Sequence, residues 1–185
     1  GELGWELHMP IAALGDVFDE LMEKGKTQGV RPVGYRALES LRLEKFYRAW
    51  GSDITPNDNP FEAGLGWAVK LKSDTQFLGR AAMEKQANTL LNKRLACFVC
   101  DDPSIVLLGR ETVLRDGVQV GYLTSGGFGY TIGKPIGYGY IRKADGLTED
   151  YVRAGNYELV VAQDRVTCSV ALKPLYDPAN GRVRA

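Results

Sequence analysis

The hydrophobic period of the chain changes near residue 90, and that change limits the folds open to it more than any other feature. Before it, apolar residues recur at helical spacing, as Ile11, Leu14, Phe18, Leu21 and Met22 in a segment ending near Gly25, and as Ala81, Ala82 and Met83 between Gly79 and Asn88. After Arg94 the helical period is gone. Ala96 to Cys100 reads as a strand, and short alternating runs follow over Glu111 to Arg115, Val118 to Leu123, Ile136 to Ile141, Tyr157 to Ala162 and Val166 to Leu172. Asp116-Gly117 joins two of these runs with the residues of a type I′ hairpin. The pattern predicts an α+β chain: an α/β portion over residues 1–90 and a small antiparallel, jelly-roll-like β-barrel over 91–185, with the polar stretch Asn88 to Lys93 as the boundary.

Two further elements are expected in the first portion. Leu3, Trp5 and Leu7 alternate with Glu2, Glu6 and His8, which predicts a strand over residues 1–8 already under way at Gly1, so an upstream partner for it is expected. A helix is expected from Gly34 to Trp50, before Gly51. On it Tyr35, Leu38, Arg42, Phe46 and Ala49 lie within roughly 80° of one another at about 100° per residue, so Arg42 shares the core-facing side. A buried, unpaired guanidinium costs several kcal/mol, so it requires a carboxylate, a polar ligand or an outward path along its stem. Glu6 and Arg42 together are the residue types that grip a flat heterocycle: a carboxylate accepts two parallel N–H bonds, and a guanidinium fork complements a carbonyl or carboxylate. Mutual pairing, or pairing with local backbone, is the structural alternative. A turn-rich loop over 53–60 and a strand over 61–70 complete the portion.

Composition removes several function classes. Lys plus Arg and Asp plus Glu are each 23 in 185 residues, so no basic field favours nucleic acid or an anionic membrane. One histidine and an odd count of three cysteines argue against a zinc site and for free thiols in a reducing compartment. The glycine-dense run Gly121 to Lys134 lacks the Gly-Lys-Ser/Thr ending of a P-loop and reads as a bulged barrel corner. Asp101-Asp102-Pro103 and Asp145 to Asp150 read as turns, and Ser125 has neither a nucleophile elbow nor a nearby histidine in sequence.

Three blocks together resemble one family. Gly1-Glu2-Leu3-Gly4-Trp5-Glu6-Leu7-His8, Leu41-Arg42-Leu43-Glu44-Lys45 with Trp50-Gly51, and Asn59-Pro60-Phe61-Glu62-Ala63-Gly64-Leu65 are similar, in order and spacing, to the folate-binding region of sarcosine and dimethylglycine dehydrogenases, itself similar to the glycine cleavage T-protein. The likeness continues through Thr124 to Tyr130, Gly137 to Ile141 and Leu175-Tyr176-Asp177-Pro178. Leu3, where the T-protein usually has an acid, and the run Phe128-Gly129-Tyr130-Thr131 favour the dehydrogenase branch over a stand-alone aminomethyltransferase or methyltransferase. The resemblance implies that residues 1–90 are the C-terminal part of a folate-binding α/β domain. It implies that Glu6 grips the pterin ring of tetrahydrofolate, that Arg42 stands at the folate site and that Trp50 packs near the ligand. It places FAD and the catalytic Asp in upstream parts of the polypeptide, with no catalytic residue in this chain. There an N-methyl amine is oxidised to an iminium whose one-carbon unit passes to tetrahydrofolate, giving 5,10-methylenetetrahydrofolate. The chain alone is then inactive, and the whole protein works in the bacterial cytoplasm or mitochondrial matrix. A non-catalytic binding or assembly module is the other reading.

Overall fold

A computed structural model describes residues 4–182 and 184. Its core is a closed barrel of six antiparallel strands: β1 (Leu91–Cys100), β2 (Thr112–Arg115), β3 (Val118–Gly129), β4 (Lys134–Leu147), β5 (Tyr157–Val161) and β6 (Asp164–Ala171). Around the barrel the order is β1-β4-β3-β2-β5-β6, with β6 pairing back onto β1. The α+β expectation and the barrel stand, but β3 runs on from the expected Leu123 to Gly129 and β4 from the expected Ile141 to Leu147. The turn between β2 and β3 has positive φ at Asp116 and Gly117, as a type I′ turn requires.

Alternation along β1 explains its position. Ala96, Phe98 and Cys100 point into the barrel with Val113, Leu123, Ile141 and Leu159, whereas Leu95, Cys97 and Val99 point out. The outward set is also buried, because helix α2 (Tyr35–Glu44) lies over it and adds Leu43, with Phe46 from just beyond the helix, to a second cluster around Tyr138 and Tyr140. A strand buried on both faces reads as a continuous apolar run, which is what Leu95 to Cys100 is. Among the described residues the other α-helices are α1 (Leu14–Gly25), α3 (Arg80–Ala87) and a short α4 (Glu149–Arg153), whose first turn is capped by the Thr148 side chain accepting from the Tyr151 N–H at 3.1 Å.

The first portion departs from expectation in three places. Gly4 to Pro10 form no strand, and Gly1 to Leu3 lie outside the described residues. Residues 61–70 form turns and a 3-10 turn at Gly66–Ala68 rather than a strand. Asn59 fixes the first of these turns: its side-chain oxygen accepts from the Phe61 and Glu62 N–H groups, both at 2.9 Å, which competes with a strand ladder. The expected helix from 34 to 50 stops at Glu44, with Phe46 at φ 56° turning the chain. The buried face of α2 is also different: Ser40, Leu43 and Glu44 are buried, while Tyr35 and Leu38 are exposed.

Close approach explains the glycines of β3. A Cβ on Gly121 would collide with the Tyr140 carbonyl oxygen across the ladder, and one on Gly127 would meet Leu43 Cδ1 of α2 at 2.9 Å. The bare backbone there lets β4 and the helix come near. The register shift between Leu123 and Ser125 confirms the bulge expected in this run. Gly121→Ala is expected to lower the unfolding free energy by about 3 kcal/mol in urea titration. Gly15→Ala, in α1 where an added Cβ meets nothing within 4 Å, is expected to leave it unchanged or raise it slightly.

Candidate functional site

Arg42 is where the loop after α2, the helix and the barrel meet. Its side chain is 12% exposed, and it is paired with Asp53, whose side chain is 0% exposed, at 2.7 Å. Nε and Nη2 of Arg42 donate to Glu39 Oε2 at 2.8 and 2.6 Å. Nη1 donates to Asp53 Oδ2 at 2.7 Å and to the Tyr47 carbonyl at 3.1 Å, and Nη2 also donates to Ser125 Oγ at 2.9 Å. A guanidinium has five N–H donors, and these five bonds use them all. Burial works against the charge, but the Glu39 bond and the Asp53 and Glu39 charges outweigh it and hold the Arg42 pKa above its ordinary value.

Asp53 is equally committed. Oδ1 accepts from Thr124 Oγ1 at 2.5 Å and from Ser125 Oγ at 2.7 Å, and Oδ2 accepts from Arg42 and from the Ala49 N–H at 2.9 Å. The Asp53 carbonyl also accepts from the Tyr140 hydroxyl at 2.9 Å. The loop over 45–53 is thereby stitched to β3 and β4, and Ser125 both accepts from Arg42 and donates to Asp53.

Beside this network is a cleft of about 490 Å³, walled by Leu38, Leu41, Arg42, Tyr47, Thr131 and Tyr176. Its volume falls within the range of small-molecule pockets. Two fixed segments form its sides. Glu44 Oε1 accepts from the Thr131 and Ile132 N–H groups, at 2.6 and 3.0 Å, which pins the β3–β4 turn. The Glu44 carbonyl accepts from the Leu175 and Tyr176 N–H groups at 3.2 and 3.0 Å, and Lys45 Nζ donates to the Asp177 carbonyl at 2.9 Å and to Asn180 Oδ1 at 2.8 Å, which pins the C-terminal segment.

The three residues expected at the site are therefore not brought together. Arg42 lines the cleft, but its guanidinium is committed inside the protein, which is the ion-pair alternative rather than a fork open to ligand. Glu6 has a 90% exposed side chain whose partner is His8 Nε2 at 3.6 Å, and Trp50 is 72% exposed. Neither lines the cleft. Sequence reasoning missed Asp53, Thr124 and Ser125. The residue pattern set Glu6, not Asp53, beside Arg42, and nothing in the spacing brings Ser125 to a helix 83 residues before it.

The network makes Arg42 and Asp53 strongly coupled. Asp53→Asn is expected to lower stability by about 3–5 kcal/mol, because it leaves a buried guanidinium without its carboxylate. Arg42→Met is expected to cost less in the Asp53→Asn background than in the parent. A double-mutant cycle followed by urea unfolding measures both effects.

Residues 1–73 match the family model described as the GCVT N-terminal domain, and residues 93–177 match the glycine cleavage T-protein C-terminal barrel domain. The mouse mitochondrial sarcosine dehydrogenase is 42% identical over 186 residues, covering 100% of this chain and 20% of the relative. The mouse mitochondrial pyruvate dehydrogenase phosphatase regulatory subunit is 34% identical over 186 residues, covering 95% of this chain and 21% of the relative. The crystal structure of the glycine cleavage system aminomethyltransferase T from Bartonella henselae shares the fold, with a TM-score of 0.75 and 24% identity over 92% of this chain and 45% of that one. The chain thus spans about a fifth of the length of these two relatives. With two consecutive T-protein family models matched along the sequence and a closed barrel over the second, the chain belongs to the glycine cleavage T-protein family.

Proposed function

We propose that this chain is the folate-binding portion of an amine-demethylating flavoenzyme. In that enzyme the one-carbon unit of an N-methylglycine-type substrate passes to tetrahydrofolate and gives 5,10-methylenetetrahydrofolate. The observation that carries the reading is the 42% identity to a sarcosine dehydrogenase across the whole chain. Under it, residues 1–90 belong to the folate domain and residues 91–185 are the barrel that supports it. FAD binds elsewhere in the polypeptide, and the protein works in the mitochondrial matrix or bacterial cytoplasm.

In this reading the roles divide as follows. Glu6, exposed and acidic, accepts from the amino and ring N–H groups of the pterin, and Trp50 offers an exposed ring for it to pack on. Arg42 is a positioning residue in this reading: with every donor used, it holds the loop that carries Trp50 and forms one wall of the cleft. The contribution of the chain is proximity and shelter, which keep the reactive one-carbon unit from water.

The similarity to a regulatory subunit supports a second reading, a binding or assembly module without catalysis. Titrating tetrahydrofolate against the full-length polypeptide separates the two. The enzyme reading expects saturable binding, weakened at least tenfold by Glu6→Ala, and formation of 5,10-methylenetetrahydrofolate from an N-methylglycine. The 185-residue chain alone is expected to bind weakly or not at all. Full-length protein that binds no folate supports the module.

A further inference from the structure

Cys100 and Cys168 stand directly opposite each other in the antiparallel pairing of β1 with β6. Both are buried, at 0% and 6% exposure, and both belong to the apolar cluster inside the barrel. Cys97, the third cysteine, alternates to the other face of β1 and packs in the cluster under α2. Directly opposed residues of an antiparallel ladder have Cα atoms about 4.5 or 5.5 Å apart, according to the hydrogen-bonding site. Both values fall inside the roughly 4.4–6.8 Å that a disulfide spans, and opposed side chains leave the ladder on the same face. Cys100 is also the last residue of β1, so this pair is the end rung of the seam where the first and last strands close the barrel. End rungs open by local fraying without global unfolding.

We propose that Cys100 and Cys168 form a redox-sensitive staple across the β1–β6 seam, oxidised by a hydroperoxide. The thiolate of one cysteine attacks the terminal peroxide oxygen, the O–O bond breaks, and the products are a sulfenic acid and an alcohol, or water where the oxidant is hydrogen peroxide. The thiolate of the other then attacks the sulfenic sulfur, the S–O bond breaks, and hydroxide leaves and is protonated to water. Two thiols lose two electrons and two protons in total, and the hydroperoxide is reduced by the same two electrons. In the closed barrel burial raises the Cys100 thiol to about 11 and the Cys168 thiol to about 12, so the reaction is confined to the frayed rung. The bond closes a long loop of chain and so constrains the unfolded ensemble.

The test is native treatment of the full chain with hydrogen peroxide, followed by alkylation in denaturant, peptide mapping with fragment-ion sequencing and thermal melting. The staple predicts loss of two hydrogens in mass, alkylation at Cys97 alone, and a link between Cys100 and Cys168 that persists in Cys97→Ser and vanishes in Cys168→Ser. It also predicts a melting temperature roughly 5–10 °C higher after oxidation, reversed by a dithiol reductant. Fragment ions from the unsubstituted chain distinguish Cys97 from Cys100 even where a variant fails to fold. Alkylation of all three cysteines, a link through Cys97, a sulfinic acid in place of the link, or an unchanged melting temperature overturns the proposal.

Discussion

The buried pair of Arg42 and Asp53 joins α2 to the loop after it, and through Thr124 and Ser125 of β3 it ties both to the barrel. Two charges taken out of water are tolerated only when geometry and further hydrogen bonds compensate for lost hydration. Here every donor of the guanidinium and both oxygens of the carboxylate are used, by groups drawn from α2, the loop over 45–53 and β3. Removing either partner would leave the other charge buried without compensation.

The approach of α2 to the barrel depends on what β3 lacks. Gly127 leaves room for Leu43, and Gly129 leaves room for the Glu44 side chain, so the helix sits against bare backbone. That closeness puts Ser40 Oγ 2.6 Å from the Phe128 carbonyl and Glu44 on the amides of the β3–β4 turn. Polar residues of the helix therefore face the barrel and are satisfied there. Several apolar ones, including Tyr35, Leu38 and Leu41, stay at least half exposed and leave a cleft beside the interface. The cleft is thus a consequence of how the helix is seated.

Much of the barrel is legible in the sequence, because its signals are local. Alternation places β5 and β6 within a residue or two, and the Asp116-Gly117 turn is written in its own two residues. The strand expected over 61–70 shows the reverse case. Its apolar residues suit a strand, yet the Asn59 side chain captures the Phe61 and Glu62 amides and makes a turn before any ladder forms. The candidate site was legible in kind, since a charged residue within an apolar stripe announced a buried partner. It was not legible in arrangement: Glu6 and Trp50 stay exposed, and Arg42 closes on Asp53.

The residue order alone carries the change of period near residue 90, the Asp116-Gly117 turn, the approximate course of the strands beyond residue 90 and the presence of helices before it, and it left Arg42 a choice among a carboxylate, a polar ligand and an outward path. Each follows from side-chain spacing or backbone preference over a few residues. Only the tertiary structure decided which face of α2 meets the barrel and that Asp53, Thr124 and Ser125 complete the network. Those outcomes depend on groups up to 83 residues apart competing for one buried space, a competition resolved by packing and hydrogen-bond satisfaction, neither of which is written in local order.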